Sequence, residues 1–235
     1  MPLPVFFAKE IAPLHQGLTL DEDTSRHVGQ VLRMRIGELL QLTDGMGTLV
    51  TAEITDAHKK HSAVRITDSQ FVPRAERKAS IAISLLKNAN RFEWFLEKAT
   101  ELGIQEIVPL ICERTERQHF RLERMQAVLV SAMLQSQQSW LPQLHEAAPF
   151  NKFLERSESN TQKFIAHCAD TSDKKDLGSL VNTATDRIIL IGPEGDFTEA
   201  EIELALQHEF IPVSLGSTRL RTETAGIVAA TLLRG

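Results

Sequence analysis

The sequence predicts an α/β chain in which a small β-rich barrel precedes a larger domain built on a mostly parallel sheet. Three observations carry this. From Ser80 onward, short apolar β-prone runs alternate with segments of helical periodicity, SIAISLLK, NRFEWFLEKATELG and EIVPLI in turn, the pattern of a sheet covered by helices on both faces. Before residue 70 the runs ELLQLTD, TLVTAEITD and HSAVRITD are rich in β-branched residues, and Asp44-Gly45 between two of them is a hairpin signal. Between these regions QFVPRAERKAS (70–80) is charged, contains Pro73 and reads as a linker, which puts the division at 1–72 and 73–235.

The elements follow in order. A helix is predicted over 19–34, where Val28, Val31 and Leu32 fall at i, i+3 and i+4 and Thr19 with Glu22 fits a capping box. In 90–103, Phe92, Phe95, Leu96 and Ala99 form an apolar stripe and Gly103 is placed to end the helix. A long helix is predicted over 121–139, strands at 163–167, 187–191 and 212–215, and helices over 198–208 and from Thr222. A parallel sheet of this kind places ligand sites at the carboxyl ends of its strands.

Composition narrows the class. A chain of 235 residues with 42% hydrophobic content can bury a substantial core. Cys112 and Cys168 are too few for a disulfide framework or a thiolate metal site and read as small core residues. His58 and His61 lie beside Lys59 and Lys60 with no acidic or cysteine ligand near, so no metal is expected. The start, MPLPVFFAKE, has no secretory pattern, and no run approaches the roughly 18 apolar residues of a membrane span. The expectation is a cytoplasmic protein without a membrane partner.

A net charge of −5 argues against nucleic-acid binding when taken whole, but the charge is uneven. Residues 73–124 carry 10 Lys+Arg against 8 Asp+Glu, while both flanking regions are acidic. Within that middle, CERTERQHFRLER (112–124) interleaves Arg114, Arg117, Arg121 and Arg124 with Glu113, Glu116 and Glu123. A phosphate-binding strip and a helix face laced with ion pairs are both open readings.

Two segments carry candidate chemistry. RIILIGPEGDFTEAEIELAL joins a buried-looking strand to an amphipathic helix through GPEGDF, with Thr198 and Glu201 as a capping box. Gly192 and Gly195 allow close backbone approach and Pro193 stiffens the turn. Glu194 and Asp196 disfavour a phosphate, so a cationic or neutral ligand suits the loop better. A tight turn with helix-capping acids is the alternative. In VSLGSTRLRTETAGIVAATLLRG, polar residues from Gly216 to Thr224 open an Ala-rich apolar helix. Such groups need partners: they face a ligand, or Glu223 pairs with Arg219 or Arg221 and fixes the loop. Other signatures are missing, since DGMGTL lacks the third glycine of a dinucleotide fingerprint and there is no P-loop, G-x-S-x-G or H-E-x-x-H.

NRFEWFLEKATELGIQEIVPL, IGPEGDF and LGSTRLRTETA, in this order and at this spacing, resemble the ribosomal RNA small subunit methyltransferase E family, and the likeness covers nearly the whole chain. HVGQVLRMRIGELLQLTDG is similar to that family's RNA-binding PUA-like barrel. The resemblance implies a SPOUT-class α/β domain with a C-terminal trefoil knot, an exception to the avoidance of knots, and a PUA-like small β-barrel before it. It also implies a homodimer, S-adenosylmethionine as methyl donor, and methylation of ring nitrogen 3 of one uridine in small-subunit ribosomal RNA. On this basis His167, Ile191, Gly192, Pro193, Glu194, Gly195, Leu215, Gly216, Leu220, Arg221, Glu223 and Thr224 are the candidate cofactor residues. Arg91, Arg219 and Arg221 are the catalytic candidates. Arg33, Arg35, Arg114, Arg117, Gln135 and Ser136 are the candidate RNA contacts. The chain departs from the family pattern twice. Asn88-Ala89-Asn90 stands where a Gly-Asp pair is usual, and Leu134 and Gln138 replace a Glu and an Arg.

Overall fold

The structure, a computed structural model, describes residues 3–116, 118–155, 161–169 and 174–234. The chain divides into two compact units, Met1–Arg74 with Met133–Leu141, and Ala75–Ala132 with Pro142–Gly235.

The first unit holds a five-stranded sheet of β1 (Val5–Phe7), β2 (Gly17–Thr19), β3 (Leu39–Thr43), β4 (Thr48–Asp56) and β5 (Ala63–Phe71), in the order β1-β3-β4-β5-β2. β1 runs parallel to β3 and the other pairs are antiparallel. Alternate residues point inward: Leu40 and Leu42, Val50, Ala52 and Ile54, and Val64 and Ile66 form one core with Phe6, Leu20 and Val28. The β3–β4 hairpin closes as the Asp44-Gly45 signal predicts, with Asp44 Oδ1 accepting the amides of Met46 (2.7 Å) and Thr48 (3.1 Å).

Two expectations are corrected here. Thr19 does not cap a helix. It belongs to β2, and the cap is Asp21, whose carboxylate accepts the Thr24 amide at 2.8 Å to start α1 (Glu22–Arg26). A π-helical turn, His27–Val31, follows. The Leu20 amide donates to the Ser62 carbonyl at 2.8 Å, which keeps the chain extended up to the cap. Of the three apolar residues that suggested one helix face only Val28 is buried, while Val31 is 65% and Leu32 43% exposed. The predicted helix over 121–139 is also shorter. α3 (Leu122–Gln135) gives way to Gln137 at φ +55°, and 133–141 joins the first unit. There Trp140 donates to the Val72 carbonyl (2.8 Å) and lies over Gly47, where a Cβ would come within 2.5 Å of its ring.

The second unit is the predicted parallel sheet. Its strands are β6 (Ala79–Ser84), β7 (Glu106–Ile111), β8 (Gln143–Leu144), β9 (Ala148–Pro149), β10 (Thr161–Ala166), β11 (Lys175–Asp176), β12 (Asp186–Ile191) and β13 (Ile211–Ser214). The order is β11-β13-β10-β12-β6-β7-β8, with β9 also on β7, and every pairing is parallel. The helices are α2 (Ala89–Glu101), α3, α4 (Phe150–Leu154), α5 (Leu177–Leu180), α6 (Glu199–Gln207) and α7 (Thr222–Arg234). β6 is buried along its whole length, as a central strand covered on both faces must be.

Helix α7 packs on α2 and β6 through Gly226, where a Cβ would lie 2.6 Å from the Phe95 ring and 3.1 Å from Ile83. Near its C-terminus the Leu233 carbonyl accepts from the buried Arg187, and Arg234 donates to the Gly103 carbonyl just beyond α2. At the amino ends of the strands, Glu106 accepts from Ser80 Oγ (2.6 Å), Lys78 Nζ (3.1 Å) and His145 Nε2 (2.9 Å). Burial alone raises its pKa, but the hydrogen bonds from Ser80, His145 and Lys78 together outweigh it and hold the carboxyl below its usual range.

Two outcomes follow. In an exposed helix Gly→Ala adds up to about 1 kcal/mol, but Gly226→Ala overpacks Phe95 and should cost about 1–3 kcal/mol in denaturant unfolding. Because the folded-state pKa of Glu106 is depressed, its contribution is present above the ordinary carboxylate pKa and is lost as pH falls through the folded value. Stability curves of Glu106→Gln should therefore approach wild type at the acid end and lie below it near neutral pH.

Candidate functional site

The carboxyl ends of three neighbouring strands, β13, β10 and β12, deliver three loops to one cavity of about 800 Å³. β10 contributes Ala166, His167 and Cys168; β12 contributes Ile191 through Glu194 and Asp196; β13 contributes Val213 through Arg221, continuing into Thr222 and Ala225 of α7. Arg91 of α2 and Lys174 complete the lining.

The loop after β12 is a tight turn built by its own acids. The Asp196 amide donates to the Pro193 carbonyl (2.9 Å), and Asp196 takes φ +64°. One of its carboxylate oxygens accepts the Phe197 amide (2.9 Å) and the other the Cys168 amide (2.7 Å), which ties this loop to the end of β10. Glu194 accepts the Lys87 amide at 3.1 Å. Gly192 lies so close to Phe197 that a Cβ would be 3.0 Å from the ring and 3.2 Å from the backbone nitrogen, and Phe197 is buried against Phe150. The predicted capping box is formed: Thr198 Oγ1 accepts the Glu201 amide, and Glu201 accepts the Thr198 amide at 2.9 Å. In the loop after β13, Gly216 has φ +132°, a conformation that only glycine adopts without strain, and Ser214 Oγ bonds both its amide and its carbonyl.

Polar atoms remain unmatched around the cavity. Both ring nitrogens of His167 and Oε2 of Glu223 are buried without a hydrogen-bond partner. Burial lowers the His167 pKa, the Lys174 cation lowers it further, and Asp196 opposes only weakly, so the imidazole is neutral at pH 7. Glu223 does not pair with Arg219 or Arg221 as one sequence reading had it. Its Oε1 faces Arg91 Nε at 3.6 Å, while Arg219 and Arg221 are exposed in the cavity wall.

Of the predicted cofactor residues, Gly195, Glu223 and Thr224 are not in the lining and the others form it; all three catalytic candidates form it too. Lys174 lines it without having been foreseen, while Asp196, Ser214 and Thr218 fall within the two segments read as candidate chemistry. Cys168 is corrected: it lies past the end of β10, exposed and on the cavity, whereas Cys112 is a buried thiol pushed up to about 12 by burial and then by Glu201. The described RNA candidates fall in both units. Arg33 and Arg35 are exposed in the first unit, as is Gln135 at the end of α3, and Ser136 donates to the Met133 carbonyl. Arg114 instead donates to the Gly195 carbonyl at 2.7 Å. Arg117 lies outside the described residues. Among the described residues no cluster suits a metal ion, and no helix is long and apolar enough to cross a membrane.

Glycine-bearing loops meeting at the carboxyl ends of a parallel sheet make a ligand site, and the chain matches both domains of the two-domain RNA methyltransferases. The family model of the RNA methyltransferase domain matches residues 73–234, and that of the RNA methyltransferase PUA domain matches 20–67. A probable rRNA-methyltransferase from Porphyromonas gingivalis superposes with a TM-score of 0.90 at 36% identity, covering 97% of this chain and 95% of that one. The Neisseria gonorrhoeae ribosomal RNA small subunit methyltransferase E bound to S-adenosyl methionine gives 0.88 at 29% identity, with coverage of 97% and 95%. The Synechocystis sp. protein of the same name is 31% identical over 219 residues, 90% of this chain and 71% of its own length. The chain belongs to the ribosomal RNA small subunit methyltransferase E family.

The two glycines of the turn should respond differently. Gly192→Ala drives a Cβ into Phe197 and should cost about 1–3 kcal/mol. Gly195→Ala meets only methylenes of the Arg114 side chain, at 3.3 Å, which can give by a few tenths of an ångström, and should cost under about 1 kcal/mol in the same unfolding measurement. Equal losses would contradict this packing.

Proposed function

We propose that this protein uses S-adenosylmethionine to methylate ring nitrogen 3 of one uridine in small-subunit ribosomal RNA. The observation that carries the reading is the convergence of the three loops on a cavity whose unmatched polar groups suit a cofactor. A volume of about 800 Å³ is ample for a ligand of that size. Neutral His167 offers one donor and one acceptor to a nucleoside. The bound cofactor supplies an electrophilic methyl group on a sulfonium.

The protein's own part is to hold, orient and exclude water. The backbone of 192–195 and 215–221, with His167, Glu223 and Thr224 around it, forms the cofactor cradle. The uracil imide must lose its proton at ring nitrogen 3, and a fixed guanidinium facing the base stabilises the resulting anion. Arg91, Arg219 and Arg221 all line the cavity. Arg91 is held by Glu223, which leaves Arg219 and Arg221 as the groups free to meet RNA, and Arg221, adjoining the first turn of α7, is assigned to the base. Arg33, Arg35, Gln135, Ser136 and Arg117 belong to the RNA-contacting set in this reading. It further includes a C-terminal trefoil knot, a homodimer, the assembled small subunit as substrate, and a cytoplasmic setting.

Calorimetry should detect S-adenosylmethionine binding to the purified protein. Arg221→Ala should keep affinity within a few-fold and lower the rate of methyl transfer to small-subunit RNA by about 10²-fold or more, as loss of one anion-stabilising donor does elsewhere. A normal rate in Arg221→Ala would remove this residue from the chemistry, and absence of cofactor binding by wild type would refute the function.

A further inference from the structure

We propose that Arg114 is a positioning residue that clamps the cofactor loop, and that the segment 113–116 acts on the cofactor loop and not on RNA. The proposal rests on the cofactor reading of 192–197 given above. Arg114 Nη1 donates to the Gly195 carbonyl at 2.7 Å and lies 3.5 Å from that of Phe197. These carbonyls flank Asp196, the residue at positive φ. One guanidinium nitrogen shared between both carbonyls holds the turn to the segment after β7, while the Asp196 carboxylate holds it to Cys168. The aliphatic part of Arg114 follows the turn closely, with Cδ 3.3 Å and Cβ 3.5 Å from where a Gly195 Cβ would stand.

Two further ties join the same segments. The Glu113 amide donates to Glu201 Oε1 at 2.8 Å, and the other oxygen of that buried carboxylate accepts the Thr198 amide. Lys87 pairs through Nζ with Glu116 at 2.6 Å while its amide donates to Glu194. The clamp has a fixed base: buried Thr115 accepts the Cys112 amide at 2.8 Å and bonds Ser84 Oγ at 2.8 Å. Loops after β6, β7 and β12 are thereby held as one body.

Two charges of the basic strip, Arg114 and Arg124, and the neighbouring Lys87 are committed by such contacts. Arg114 is spent on carbonyls, Lys87 on Glu116, and Arg124 on Glu93 at 2.8 Å. A guanidinium already bonded to the backbone and flanked by Glu113 and Glu116 is a poor phosphate anchor, so the net-positive middle of the chain reads at Arg114 as an internal clamp.

The test uses the full chain as Arg114→Ala and Arg114→Lys. In the ligand-free protein, hydrogen exchange at the amides of 196–198 should quicken in Arg114→Ala and stay as in wild type along α7. The calorimetric Kd and the KM for S-adenosylmethionine should rise about tenfold, equivalent to about 1.4 kcal/mol, with kcat changed less than KM. Affinity for a small-subunit RNA fragment should stay within about twofold. Arg114→Lys, which keeps a charged donor on a shorter side chain, should fall between the two proteins on exchange and Kd, and it carries the test if the alanine variant does not fold. Unchanged exchange and cofactor affinity together with weakened RNA binding would overturn the proposal and return Arg114 to the RNA. Faster exchange in Arg114→Ala alongside a wild type that binds no cofactor would refute the cofactor reading and leave the clamp standing.

Discussion

The carboxylate of Asp196 joins two loops 28 residues apart in sequence by accepting the Cys168 amide at 2.7 Å, while its second oxygen accepts the next amide of its own turn. The cavity depends on that junction. Parallel strands bring their carboxyl ends to the same edge of a sheet, but the edge is only a row of loops until something fixes their spacing. A charged acceptor bonded to two backbone amides does so more firmly than a neutral contact, and the left-handed conformation of Asp196 keeps the carboxylate in place. The acids that speak against a phosphate ligand are, in the folded chain, the fasteners of the turn.

The rest of the second unit can be understood as support for this edge. Close packing at Gly226 lets α7 lie directly on β6 and α2, so that its first turn, with Thr222 and Glu223 buried, begins at the cavity. Burying a carboxylate is costly unless it is compensated. The first turn of α7 and the Arg91 guanidinium at 3.6 Å supply part of that compensation, and one oxygen remains unmatched. Neutral His167 is a second reserve of unmatched polarity in the same place. Unmatched groups gathered on one cavity are what a site looks like before its ligand arrives, whereas the Glu106 cluster at the opposite ends of the strands satisfies its groups internally and contributes only stability.

Much of this was legible in the sequence because it rests on local rules. The stripe Phe92, Phe95, Leu96 and Ala99 gave α2, Thr198 with Glu201 gave the cap of α6, and the apolar β6 and β12 runs gave the central strands. The GPEGDF and LGSTRLRTETA segments line or back the cavity because a strand followed by a glycine turn and a helix has few ways to fold. What escaped was long-range. The capping pattern at Thr19 lost to pairing of β2 with β5, and the apolar spacing of Val31 and Leu32 proved to face outward. Residues 136–141 left the helix, and Trp140 fills the space over Gly47, a contact between residues some ninety apart. The partner of Glu223 lies on α2 and not on the neighbouring arginines, and Arg114 faces a carbonyl 81 residues away; spacing within a segment carries no trace of either.

Methylation of one uridine in small-subunit ribosomal RNA by this protein can be read by nucleoside mass spectrometry of that RNA. RNA from a strain lacking the gene is compared with RNA from the same strain carrying it again. One 3-methyluridine per small subunit should disappear with the gene and return with it. An unchanged amount of 3-methyluridine in the deleted strain would rule this function out.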